Sequence, residues 1–172
     1  MSRLITIWLD ICLLRAGPQD LPSSRTLLGL TGGTYFLVSL LLSLPAYPAK
    51  TAFLVALLDL GLLAAFAAAL LYFPGKWARL QQTLTALTGT GTLLGLLALP
   101  LAYLLFQGPE ENLLAGVAAL IWLFLFGWSL LVVAHIMRHA LSIAFPYAIG
   151  IAVLYTLVAL QLMAALFPGQ TD

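Results

Sequence analysis

Polar residues divide this chain into five long apolar runs, at about positions 27–45, 51–73, 84–106, 113–137 and 141–167. Each run is about 19–27 residues, enough to cross a hydrocarbon core about 30 Å thick at about 1.5 Å per helical residue. The runs are continuous and rich in Leu and Ala. A barrel strand would instead alternate in polarity over about ten residues. The pattern therefore predicts helices. Pro45, Pro48, Pro74, Gly75, Gly108, Pro109 and Pro168 sit at the edges of the runs as helix stops. Pro100 and Pro146 fall inside runs and are expected to kink them. Tyr47, Tyr72, Phe73, Trp77, Tyr103 and Phe106 lie near the ends, as an interfacial aromatic belt requires. Trp122 and Trp128, inside the fourth run, are expected to pack on helices or lipid. The expected fold is all-α: a polytopic membrane bundle of five transmembrane helices.

Residues 3–15 form a separate, shorter element. At 100° per residue, Leu4, Ile5, Ile7, Trp8, Ile11, Cys12 and Leu14 share one broad face, and Arg3, Thr6 and Asp10 fall opposite. Thirteen residues are too few to span a bilayer. An amphipathic helix lying at the cytoplasmic surface is expected, with packing beneath the bundle as the alternative. Asp10 interrupts the apolar stretch and no small-residue cleavage site follows, so the first span is expected to act as an uncleaved signal anchor. Gly17, Pro18 and Pro22 then break the chain, and Ser23 or Ser24 is placed to cap the first span. Residues 1–22 are thus read as a surface helix and linker, and 23–172 as the five-helix domain.

Composition fits this reading. The chain is 63% apolar and 8% charged, against about 25% charged in a soluble domain. A net charge of +1 offers no basic patch for nucleic acid. Cys12 is the single cysteine, which excludes an internal disulfide, and it is read as a small apolar filler. The seven bases are ordered: Arg3, Arg15, Arg25, Lys76, Arg79 and Arg138 fall on one side of the alternating spans, and Lys50 alone on the other. The excess of basic residues in cytoplasmic loops then predicts a cytoplasmic N-terminus and an outer C-terminus.

Few residues could carry chemistry. Asp59 lies inside the second run, where a carboxylate costs about 2.5–3.5 kcal/mol to insert. Counted along the helices, Asp59 and Gln161 lie about 12 and 9 Å from the outer side, so a hydrogen bond between the two is feasible, and Tyr155 is a third intramembrane polar candidate. A structural polar contact is preferred there over a transport residue. His135, Arg138 and His139 form a second cluster at the cytoplasmic end of the fourth run. The two histidines share a helical face, but a metal site would need more ligands, so a headgroup-facing or loop-anchoring cluster is expected and no metal or other cofactor. Gly29–Gly33 and Gly91–Gly95 have the spacing that lets helices approach closely, and the threonines from Thr85 to Thr92 could bond across such a contact. No nucleophile–base set occurs, and the stretch 89–95 lacks the Lys of a phosphate loop.

Two stretches carry a further pattern. In 70–101 a span ends in a Gly-containing turn and a short basic and polar segment, and the next span carries small residues and a distal proline. Gly75, Lys76, Gln82, Thr83 and Pro100 are the matching residues. In 121–141 the match is a Trp near the start of a span that ends in a histidine–basic–alanine stretch, at Trp122, His135, Arg138 and Ala140. Together these residues resemble the Yip1 domain family; the turn departs from it in carrying FPGK, with fewer glycines, and the N-terminal region is short. The resemblance implies a non-enzymatic five-span protein of the bacterial inner membrane, acting through partner membrane proteins, self-association or membrane organisation. The rival expectation is a small oligomeric transporter or channel using Asp59.

Overall fold

The computed structural model describes residues 2–107 and 113–167, and is built of helices joined by short turns. Six α-helices occur among the described residues: α1 (Ser2–Cys12), α2 (Arg25–Ser43), α3 (Ala49–Tyr72), α4 (Leu80–Gln107), α5 (Leu113–Leu141) and α6 (Phe145–Leu166). Helices α2 to α6 are long and apolar enough to cross a membrane, the fourth with the 3-10 turn Trp77–Arg79 that leads into it. Helix α4 is the centre of the bundle: α2 packs along one side and α5 along another, while α3 rests on α2 and α6 on α5. Gly108 and Pro109, expected as stops, lie outside the described residues.

The core is built from small side chains. On α3, Ala52, Ala56, Leu63, Ala67 and Leu71 form the buried stripe, spaced three or four residues and their multiples apart. Leu30, Phe53, Leu97, Leu120, Leu123 and Leu154 face outward. An apolar exterior of this extent suits lipid rather than water. On α4, the hydroxyls of Thr83, Thr85, Thr90 and Thr92 donate at 2.8 Å to carbonyls four residues earlier. These threonines satisfy themselves within their own helix, contrary to the expected bonding across the contact. Only Thr88 crosses, with its hydroxyl 2.9 Å from that of Thr31 on α2.

Helix ends are closed locally. Ser24 caps α2, its Oγ accepting from the Leu27 N–H at 3.3 Å. Gly75, at φ 69°, ends α3: its N–H reaches the Tyr72 carbonyl and the Lys76 N–H the Leu71 carbonyl at 2.8 Å. Leu14 and Ser142 take the same left-handed conformation after α1 and α5, at φ 61° and 54°. A non-glycine residue there costs roughly 1–2 kcal/mol; Leu14 recovers it by packing on the core. Pro146 stands in the first turn of α6, where its missing N–H is harmless, so it starts a helix and does not kink one. Pro100 does lie within α4.

The N-terminal segment packs against the bundle, the alternative expected for it. Ile11 is fully buried, and Ile7, Trp8 and Leu14 pack against the core. Trp8 lies against Gly89, nine residues along α4 and thus about 13 Å from its start. The Trp128 indole N–H donates to the Cys12 carbonyl at 3.0 Å, and the His135 ring nitrogen Nε2 to the Ala16 carbonyl at 2.9 Å. Gln82 donates to the Leu21 carbonyl at 2.7 Å. Residues 8–21 therefore form a strap along α4 and α5. Ile5, Leu9 and Leu13, spaced four apart, make a second apolar stripe that stays exposed. Burial pushes the Cys12 thiol up to about 11.

Candidate functional site

Asp59 sits near the middle of α3, ten residues from Ala49 and thirteen from Tyr72. It accepts hydrogen bonds from the Tyr35 hydroxyl at 2.8 Å and the Ser39 hydroxyl at 3.0 Å, both on Oδ2. Tyr35 and Ser39 are one helical turn apart on α2, so a single face of that helix presents both donors. The candidate pairing with Gln161 does not form. Gln161 is exposed on the outer side of α6. Depth along a helix fixes height but not direction, and Gln161 points away from the bundle at its height. Tyr155, the third candidate, does come to the site, with the Phe66 ring tilted against it at 4.8 Å between ring centroids.

These residues line a cavity of about 280 Å³ between the helices. Its polar groups come from all five long helices: Tyr35 and Ser39, Asp59, Thr90, Ser129, and Tyr155 with Thr156. The rest of the wall is apolar and includes Trp122, which sequence reasoning had left outside any site. Its companion Trp128 holds the N-terminal strap instead.

The two glycine pairs part company. A side-chain carbon on Gly91 would lie 2.5 Å from the Tyr35 ring, and one on Gly95 2.6 Å from the Val38 methyl. Both glycines let α2 approach α4, and Gly91 in doing so seats Tyr35 beside Asp59. Gly29 and Gly33 are exposed on α2, with nothing within 4 Å of either. They take no part in packing within the bundle.

The second cluster also changes character. Helix α5 continues to Leu141, so His135, Arg138 and His139 lie within it, and only 142–144 separate it from α6. His135 is buried and holds the strap. Its ring meets that of His139 at 4.7 Å, and Arg138 lies over Phe145 at 5.5 Å. Among the described residues no three metal-ligating side chains gather. The end of α5 is bound by bases from the α3–α4 connection. Lys76 donates to the Leu141 carbonyl, and Arg79 donates to the Ala140 carbonyl at 2.9 Å and the Ser142 hydroxyl at 2.8 Å. Cations at a helix C-terminus meet its free carbonyls and the negative end of its dipole. A smaller polar cavity beside this clamp is lined by Gln19, Arg79, Gln82 and His139.

Neither a family model, nor a curated protein, nor a solved structure matches this chain.

Proposed function

We propose that this chain is a non-enzymatic integral membrane protein of Yip1 type that acts by packing its helices against neighbouring membrane proteins. It sits in a bacterial inner membrane with its N-terminus cytoplasmic and its C-terminus outside. The observation that carries the reading is the outward Gly29–Gly33 face. The other glycine pair is consumed inside the bundle by Tyr35 and Val38, whereas this one is open and flanked by exposed Leu30 and Leu37. In lipid, helices associate through close van der Waals contact, which a small-residue notch permits. A second copy of this chain is the simplest partner.

Two further observations fit a structural role and the orientation. Lys76, Gln82 and His135, which carry the resemblance, all serve one joint, tying helix ends and the N-terminal strap together. That is a structural use, and it needs no reaction. Arg25, Lys76, Arg79 and Arg138 collect at one end of the bundle, with Lys50 at the other, the asymmetry expected of a cytoplasmic face.

Crosslinking in native membranes followed by mass spectrometry tests the reading. Gly33→Cys should form a crosslinked species, with little background from buried Cys12. Recovery of the chain only as a free monomer, under conditions that trap a known dimer, overturns it.

A further inference from the structure

We infer that the cavity around Asp59 is a binding site for a small lipophilic ammonium, a single cationic amine on an apolar body. The inference is independent of the helix-packing reading above.

The hydrogen-bonding sense of the wall carries it. Ser129 donates its proton to the Phe126 carbonyl at 2.7 Å, Thr90 to the Ala86 carbonyl at 2.8 Å and Thr156 to the Ala152 carbonyl at 3.0 Å. Tyr35 and Ser39 both give theirs to Asp59. Each hydroxyl has one proton, so each of these groups has only lone pairs left for a guest. Oδ1 of Asp59 receives neither donor and adds two more lone pairs. The Tyr155 hydroxyl and the Trp122 indole N–H find no acceptor among the described residues, so the wall offers these two donors against a larger number of acceptors. An anion would meet the Asp59 carboxyl there, whereas an ammonium brings three donors to these acceptors.

Charge points the same way. Asp59 is the only acid in the five spans, and among the described residues no Lys, Arg or His lines the cavity. Burial without a counter-charge disfavours an ionised Asp59, and a bound cation supplies that counter-charge. Tyr35, Tyr155 and Trp122 add aromatic rings to the wall, the usual companions of an organic cation.

Size and access set the rest of the guest. A cavity of about 150 Å³ takes benzene, so the 280 Å³ here suits an amine of about a dozen heavy atoms. Phe126, on the wall, is 42% exposed on the outer face of α5. The opening is thus lateral, toward lipid, and favours a guest that partitions into the bilayer.

The test is binding of radiolabelled phenethylammonium to the purified full chain in lipid nanodiscs. Saturable binding of one molecule per chain is expected, and phenethyl alcohol, with the same body and no charge, should not compete. Asp59→Asn keeps an acceptor for Tyr35 and Ser39 and should weaken binding about thirtyfold or more, with the melting temperature monitored alongside. Ala98→Phe fills the cavity without touching Asp59 and should abolish binding; it decides the matter if Asp59→Asn fails to fold. Absence of saturable binding, equal competition by phenethyl alcohol, unchanged affinity in folded Asp59→Asn, or retained binding in Ala98→Phe each overturns the inference.

Discussion

Gly91–Gly95 and Gly29–Gly33 have the same spacing, both lie in membrane-spanning helices, and they meet opposite fates. The first pair is closed over by Tyr35 and Val38 of α2. The second, on α2 itself, opens outward with no atom near. A four-residue glycine spacing states only that a second backbone could come close. Which backbone does so depends on how the helix is turned, and α2 turns its Tyr35–Ser39 side inward. The polar contact to Asp59 and the Thr31–Thr88 bond both lie on that inward side, and each would be lost if α2 rotated to bury Gly29 and Gly33 instead.

The contrast can be broken at several strengths. Gly91→Leu has the largest expected effect: the new side chain collides with Tyr35, an overpacking cost of about 3 kcal/mol, read as a lowered melting temperature. Gly89→Ala forces the Trp8 indole out and should loosen the strap at a cost of about 2 kcal/mol. Cys12 is the readout. With its thiol at about 11, the folded chain should label with maleimide slowly near neutral pH, since only the thiolate reacts; the variant should label many times faster. Equal rates would mean that the strap does not depend on Gly89.

Gly95→Ala presses on one methyl of Val38 and should cost about 1 kcal/mol. Combining it with Val38→Ala sharpens the point, because the pair should be less damaging than the sum of the two single changes. Thr88→Val removes the Thr88–Thr31 bond between α4 and α2, for about 0.6 kcal/mol. The Gly29→Leu and Gly33→Leu double variant comes last. Monomer stability should stay within about 0.5 kcal/mol, while self-association measured by crosslinking should disappear. A large loss of monomer stability would place this face inside the bundle and erase the contrast.

Much of the candidate site was legible, though its partners were misassigned. Asp59 stood out because a single acid in an apolar run is costly. The depth argument that selected Gln161 was sound as far as it went, but it was applied to the wrong neighbour. Tyr35 is eight residues before the end of α2 and Asp59 ten after the start of α3, so the two match in height across a short connection. Tyr35 and Ser39, one turn apart, were a readable signal for a buried acceptor on the next helix. Nothing in the sequence showed that Trp122 would line a cavity or that Trp128 would hold a backbone carbonyl.

The sequence by itself determined what is local. Run length and the absence of charge set five spans, Ser24 set the first cap, and Gly75 set the one left-handed turn that a glycine announces. These depend on propensity, chain reach and the insolubility of charge in hydrocarbon, which a linear pattern records. Tertiary structure decided what depends on rotation about each helix axis. It chose between two equal glycine pairs, turned Gln161 outward, laid the N-terminal strap along α4 and α5, and spent Lys76 and Arg79 on the end of α5. In an apolar run nearly every face looks alike, so periodicity cannot fix that rotation. A few specific contacts do: a phenol against a glycine, two hydroxyls on a carboxylate, and a guanidinium on free carbonyls.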